Sequence, residues 1–149
     1  MKKSLIVISL ILLTIIIICS AIITGKSKVS KLTLKQNSEF EQYLEDNIYG
    51  TDVVSLINKA MSYNQTNNVQ TDEKDFYINN NQNSIQIDLV MITNSEKQET
   101  TTYKMEAISK VGITEFIKNF NTVEFKCTKK EYHSQTGKLS YIEITQQNE

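Results

Sequence analysis

The sequence predicts an α+β protein in which an N-terminal transmembrane helix is followed by helices packed on a small antiparallel sheet of about four or five strands. Three observations predict this class: an uncharged apolar run near the N-terminus, an amphipathic helical stripe behind it, and period-two alternation in the second half. With 149 residues, the chain can form one small domain behind the anchor. We divide it into a signal-anchor helix over residues 1–25, a basic juxtamembrane linker over residues 26–37 and an α+β domain over residues 38–149.

The first element is an uncharged run over residues 4–24. At about 1.5 Å per residue the run spans roughly 30 Å, the thickness of the hydrocarbon core, and it is helical because lipid offers the backbone no hydrogen-bond partners. It is longer than the apolar region of a cleavable signal peptide. A lipoprotein signal would make Cys19 the lipidated residue, but bulky Ile18 stands where that signal carries a small residue. Length therefore favours an uncleaved anchor, with cleavage and lipidation as alternatives.

The orientation of the anchor is predicted from its flanks. Lysines lie on both sides of the run, Lys2 and Lys3 before it and Lys26, Lys28, Lys31 and Lys35 after it. The count of positive charges slightly favours a cytoplasmic domain. The very short tail before the run is typical of a signal anchor, which puts the following domain outside. We predict a single-pass protein of the cell membrane with an extracytoplasmic C-terminal domain.

Two helices are predicted at the start of the domain. Ser38 and Glu41 have the spacing of a capping box and predict a helix start, while Gly50 predicts its C-terminal stop. Thr51 or Asp52 is expected to cap the second helix. That helix carries the clearest amphipathic stripe of the chain, formed by Val53, Leu56, Ile57, Ala60 and Met61.

Alternation of apolar and polar residues predicts the strands. It is clearest over residues 84–92, where Ile85, Ile87 and Leu89 alternate with polar side chains after an asparagine-rich turn. The other predicted strands cover residues 76–78, 100–107, 123–128 and 139–145. A short helix over residues 112–120 is expected before the last two strands.

Composition narrows the classes of function. The 16 cations are all lysine and the net charge is −1, which argues against nucleic-acid binding because that uses clustered cations and bidentate arginines. One histidine and one cysteine outside the anchor argue against a zinc or iron site, and no cofactor is predicted. Residues 72–75 lack the alternating ligands and glycine of a calcium loop.

Cys127 and His133 are the one combination that suggests a nucleophile and its base. Along an extended strand the two residues lie about 20 Å apart. We expect a buried, inert cysteine and a solvent-facing histidine in a turn. No catalytic or metal-binding residues are predicted, and the chain is predicted not to be an enzyme.

A resemblance lies in residues 40–57, from Phe40-Glu41-Gln42-Tyr43 through Ile48 to the sequence YGTDVVSLI at residues 49–57, behind the membrane helix. This segment is similar to that of small single-span proteins of Gram-positive bacteria, in which a tyrosine precedes Gly-Ser/Thr-x-Val-Val-Ser-x-Ile, and some of those proteins resemble pilin-like subunits. The resemblance implies a pilin-like architecture, although the glycine and glutamate of a prepilin processing signal are missing. It singles out a candidate interaction or structural motif formed by Tyr49, Gly50, Thr51, Asp52 and Ser55.

These observations predict a non-catalytic, membrane-anchored protein that presents a small interaction domain at the cell surface. It would be a subunit or accessory of a pilin-like envelope assembly, acting through a protein partner or self-association. The alternative is a membrane-anchored ligand-binding or sensory domain with a groove beside the helix at residues 53–61. A hydrolase that uses Cys127 is a third class, and it would require a reactive thiol in the folded protein.

Overall fold

The computed structural model describes the backbone of residues 2–148. Side chains are described throughout this range except at residues 2–10, 23–24 and 26–29. The predicted bilayer contact over residues 4–24 therefore falls partly on side chains outside the described set.

The chain forms two compact units, residues 1–35 and residues 36–149. The first unit is helical, and helix α1 (Lys2–Phe40) also supplies the first residues of the second unit. Among the described residues, no helix is both long and apolar enough to cross a bilayer. The second unit holds all the strands of the described chain.

The second unit mixes helices and strands, which confirms the α+β class. One 3-10 turn at Glu41–Tyr43 follows α1. The remaining elements are β1 (Ile48–Tyr49), α2 (Gly50–Thr66), β2 (Gln86–Asn94), β3 (Glu99–Lys104), α3 (Met105–Val111), α4 (Ile113–Phe120), β4 (Glu124–Tyr132) and β5 (Leu139–Gln146).

The five strands form one sheet in the order β1-β4-β5-β2-β3. The pairs β1/β4, β4/β5 and β2/β3 are antiparallel, whereas β2 and β5 run parallel. The number of strands is as predicted, but the prediction of an antiparallel sheet is wrong at its centre. Apolar pairs, Ile87 opposite Ile142 and Leu89 opposite Ile144, join the two hairpins there. Alternation along each strand is the same for either direction, so it does not predict how two hairpins pair.

The core lies between the sheet and the helices α2, α3 and α4. The predicted stripe of α2 is confirmed, because Val53, Leu56, Ile57 and Ala60 are fully or almost fully buried and Met61 packs against them. The sheet contributes Ile87, Leu89, Met91, Phe125, Ile142 and Ile144. Each such side chain gains about 1.5–3 kcal/mol from burial, which makes this layer the main source of stability.

Two predictions at the entry to the domain are wrong. Ser38 does not begin a helix, because it lies inside α1, which ends at Phe40. Gly50 does not stop a helix but is the first residue of α2. The reason is tertiary: Ile48–Tyr49 pairs with β4 as a short strand, and this pairing outweighs the helical spacing of the apolar residues around it.

Two predicted strands also differ from the structure. The strand expected over residues 100–107 bends into α3 at Met105, whose side chain is fully buried. Met, Glu and Ala are good helix formers, and the helical turn puts Met105 into the core. Residues 76–78 form no strand, and Tyr77 takes part only in an isolated bridge with Thr71.

Candidate functional site

The candidate motif forms the start of α2. The Tyr49 backbone N–H donates to Asp52 Oδ2 at 2.9 Å, and Ser55 Oγ donates to the Thr51 carbonyl at 2.9 Å. Tyr49, rather than Thr51 or Asp52, occupies the N-cap position, and Asp52 lies in the first turn, where an acidic side chain stabilises the helix terminus. These are contacts within the helix start itself. A role of the motif in interaction stays a prediction.

Gly50 lies where the start of α2 meets the end of α4. Its N–H donates to the Val123 carbonyl at 3.2 Å. A Cβ at this position would lie 1.9 Å from the carbonyl oxygen of Phe120 and 2.6 Å from its carbonyl carbon. Glycine is therefore required here by the close approach of two backbones.

An apolar groove of about 310 Å³ lies between helices α3 and α4 and strands β2 and β3. Apolar side chains make most of its lining: Met91, Tyr103, Ile108, Val111, Phe116 and Phe120. Val111, at the end of α3, is 80% exposed, and Tyr103 is 39% exposed. Covering such side chains is favourable, so this apolar groove is a candidate contact surface.

Strand β3 borders the apolar groove through Tyr103 and forms one edge of the sheet. Within the described residues it pairs only with β2, and each of its 6 residues is exposed. The backbone N–H and C=O groups on its outer side are therefore open to an added strand.

The sequence did not identify the apolar groove. Four elements contribute to it, and their contact depends on the strand order and on α3, of which residues 105–107 were predicted as strand. The sequence held one signal: the apolar residue Val111 directly precedes Gly112. In the structure Gly112 has a φ of +114° and separates α3 from α4. An apolar residue beside such a break has few chain neighbours to cover it.

Cys127 and His133 take part in separate contacts. His133 is buried, and its Nε2 donates to the Ser84 carbonyl oxygen at 2.7 Å, since a carbonyl oxygen only accepts. The prediction of a solvent-facing histidine is therefore wrong. Cys127 Sγ donates to the Lys129 carbonyl at 3.6 Å, and burial raises the pKa of its thiol. A raised thiol pKa is the opposite of what an activated nucleophile needs.

The acidic loop that follows α2 is held by its own hydrogen bonds. Asp72 Oδ1 accepts the backbone N–H groups of Phe76 and Lys74, each at 2.9 Å, and the bond from Phe76 is the main cause that lowers the Asp72 pKa. Asp75 Oδ2 pairs with Lys110 Nζ at 2.9 Å. In the described part of the chain, no three His, Cys, Asp or Glu side chains form a group that could hold a metal ion.

No protein-family model, curated protein or solved structure matches this chain. The similarity of residues 40–57 to small single-span proteins of Gram-positive bacteria therefore stays a prediction. The geometry that bears on function consists of the apolar groove, the open edge of β3 and the backbone contact at Gly50.

Proposed function

We propose that this protein is a non-catalytic, single-pass membrane protein that presents a small interaction domain outside the cell membrane, as a subunit or accessory of an envelope assembly. The observation that carries the proposal is the apolar groove with the exposed Val111 at its rim, next to the open edge of β3. A partner segment can extend the sheet along β3 while one of its apolar side chains enters the apolar groove.

The uncharged run over residues 4–24 supports the membrane anchor. Thr14 Oγ1 donates to the Ile11 carbonyl at 2.7 Å, and Ser20 Oγ donates to the Ile17 carbonyl at 2.8 Å. These bonds satisfy the hydroxyl donors inside the helix, as a lipid environment requires. The large apolar side chains described between residues 11 and 22 are all exposed, and a bilayer would cover them.

Protease added to intact spheroplasts is expected to remove the C-terminal domain and leave the anchor. The domain would lie outside, where the protease reaches it. A C-terminal epitope tag, followed by immunoblot, measures the loss, and a cytoplasmic marker protein reports intact cells. Full protection of the tag in intact spheroplasts, with digestion after lysis, would contradict the extracytoplasmic placement.

Replacing Val111 with lysine is expected to break the contact with the partner and leave the domain folded. Val111 is 80% exposed, so the free energy of unfolding should change by no more than about 0.5 kcal/mol. A charge in place of an apolar contact side chain should cost about 2 kcal/mol or more, roughly thirtyfold in affinity. A photo-crosslinking residue at Tyr103 measures the contact in native membranes.

The matched control is Tyr132→Lys, because Tyr132 is also exposed but lies on β4 and does not line the apolar groove. This control should keep the adduct that forms at Tyr103. If no discrete adduct forms at Tyr103, or if Val111→Lys leaves it unchanged, the interaction proposal is wrong.

A ligand-binding or sensory role is the second candidate, because about 310 Å³ is within the range of small-molecule sites. A specific metabolite would then raise the thermal midpoint of the full-length protein, and Val111→Lys would reduce that shift. A partner adduct at Tyr103 with no metabolite shift would favour the interaction role over this one.

A further inference from the structure

A second cavity, of about 250 Å³, lies on residues distinct from those of the apolar groove and has both apolar and charged side chains in its lining; we call it the polar cavity for its charged residues. It is bounded by the loop after α2, the start of β2 and the junction of β3 with α3. Its charged lining consists of the carboxylates of Asp72, Asp88 and Glu106 and the ammonium of Lys104. Three carboxylates against one ammonium make this polar cavity a negative site.

Glu106 supplies the carboxylate with unused bonding capacity. The residue is only 4% exposed, and its Oε1 accepts the Tyr77 backbone N–H at 2.9 Å. No donor of the described residues reaches its Oε2. Every fully buried side-chain nitrogen or oxygen in the described chain has a hydrogen-bond partner. Because Oε2 has none, it is not fully buried, and we infer that it opens into the polar cavity that Glu106 lines. An ammonium group that donates to Oε2 would supply a charge-assisted hydrogen bond that no residue of the described chain supplies.

The other two carboxylates are already engaged. Asp88 Oδ1 lies 3.4 Å from Lys104 Nζ, and its Oδ2 accepts the Tyr141 hydroxyl at 3.1 Å. Asp72 is exposed and holds its own loop through Oδ1, and its lowered pKa keeps it ionised. They set the negative potential of the polar cavity, while Glu106 Oε2 is the acceptor that remains for a ligand.

We propose that the polar cavity binds a small organic cation through a primary ammonium group that donates to Glu106 Oε2. The pair of Lys104 and Asp88 is an example of the same ammonium–carboxylate contact in the same lining. A metal ion fits less well, because the carboxylates do not form a group that could hold one in the described chain. A volume of about 250 Å³ is several times the roughly 30 Å³ of a water molecule in the liquid, which leaves room for a short alkyl chain.

Titration of the full-length protein in detergent micelles with 1,4-diaminobutane tests the proposal by amide NMR. The Tyr77 amide should shift in a saturable way, because it donates to Glu106. 1,4-Butanediol has the same length without charge and should give no such shift. Glu106→Gln keeps an acceptor for Tyr77 but removes the charge, and it should weaken binding at least about tenfold. Glu131→Gln, an exposed acid paired with Lys129, is the matched control and should bind as the parent does.

Lys104→Gln provides a second test if Glu106→Gln does not fold. The variant should fold, because the exposed ion pair of Lys104 with Asp88 adds little stability. It should bind the diamine several-fold more tightly, because the Lys104 ammonium repels a bound ammonium. Equal shifts with the diol, unchanged binding by folded Glu106→Gln, or weaker binding by Lys104→Gln would overturn the proposal. Saturation by Mg²⁺ or Ca²⁺ at the Tyr77 amide with no response to the diamine would assign the polar cavity to a metal instead.

Discussion

Replacing Gly50 with alanine is expected to lower the free energy of unfolding by about 3 kcal/mol or more. The new Cβ would lie 1.9 Å from the Phe120 carbonyl oxygen, far inside van der Waals contact. A flexible side chain could rotate away, but this oxygen belongs to the backbone at the end of α4. Either α4 moves off α2 or the bond from the Gly50 N–H to Val123 breaks. Both changes open the core beneath the two helices.

Urea unfolding of the full-length protein in mild detergent measures the effect. Tyrosine fluorescence and circular dichroism report it, since the chain has 7 tyrosines and no tryptophan. Gly25→Ala is the matched control, because a Cβ there meets nothing within 4 Å and alanine favours a helix by up to about 1 kcal/mol over glycine. A Gly50→Ala variant within about 0.5 kcal/mol of the parent would contradict the backbone contact.

Periodicity in the sequence was sufficient to predict the elements that bury one face. The stripe of α2 from Val53 to Met61, the helix at Ile113–Phe120 and the alternation around Ile87 all appear in the structure. Each pattern repeats over two or more turns or over several strand positions. Burial of that face therefore outweighs the weak conformational preference of any single residue.

Pairing between distant segments was not predictable from the same patterns. Residues 48–49 form a strand only because β4 lies beside them, and β2 pairs parallel to β5 although both belong to antiparallel hairpins. Gly50 shows the same limit: an isolated glycine after an apolar helical spacing predicts a C-cap, whereas its real constraint comes from Phe120, far along the chain. The polar cavity has the same origin, since Glu106 was expected in a strand.

Two buried side-chain amides were also missed, and they lie at equivalent places in the fold. Asn64 at the end of α2 bonds to the backbone of Ile85, just before β2, and Gln36 near the end of α1 bonds to the backbone of Leu139, at the start of β5. β2 and β5 are the parallel pair at the centre of the sheet. At each of these strand ends, the helix amide therefore makes the backbone hydrogen bonds that a neighbouring strand would otherwise make. Nothing in the local sequence distinguishes these amides from surface ones.

Replacing Asn64 with alanine is expected to cost about 3 kcal/mol of unfolding free energy. Asn64 is fully buried, its Nδ2 donates to the Ile85 carbonyl at 2.7 Å, and its Oδ1 accepts the Ile85 N–H at 2.8 Å. The alanine variant leaves both backbone groups of Ile85 buried without partners. Asn64→Asp should be at least as unstable at neutral pH, because the carboxylate cannot donate and faces the Ile85 carbonyl.

Urea unfolding at pH 7 measures both variants, and Asn119→Ala serves as the matched control. Asn119 is exposed and its side chain bonds to that of Glu115, also exposed, so its loss should change the free energy by no more than about 0.5 kcal/mol. Asn64→Asp should recover part of its deficit as the pH falls, because a protonated carboxyl regains one donor for Ile85. Equal stability of Asn64→Ala and Asn119→Ala would show that the Ile85 contact contributes nothing.

Gln36→Ala should cost less than Asn64→Ala, although both remove a buried amide from a strand end. The Leu139 N–H donates to Gln36 Oε1 at 3.0 Å and also to Asn37 Oδ1 at 2.8 Å, so one acceptor remains after the substitution. Only the Leu139 carbonyl, which accepts Gln36 Nε2 at 3.2 Å, loses its bond to an amide. At Ile85 the corresponding N–H has no such second acceptor in the described chain. If the cost comes from unpaired backbone groups, Asn64→Ala should be the less stable of the two variants. If it came from lost side-chain volume, Gln36→Ala should be the less stable one, because glutamine is the larger residue.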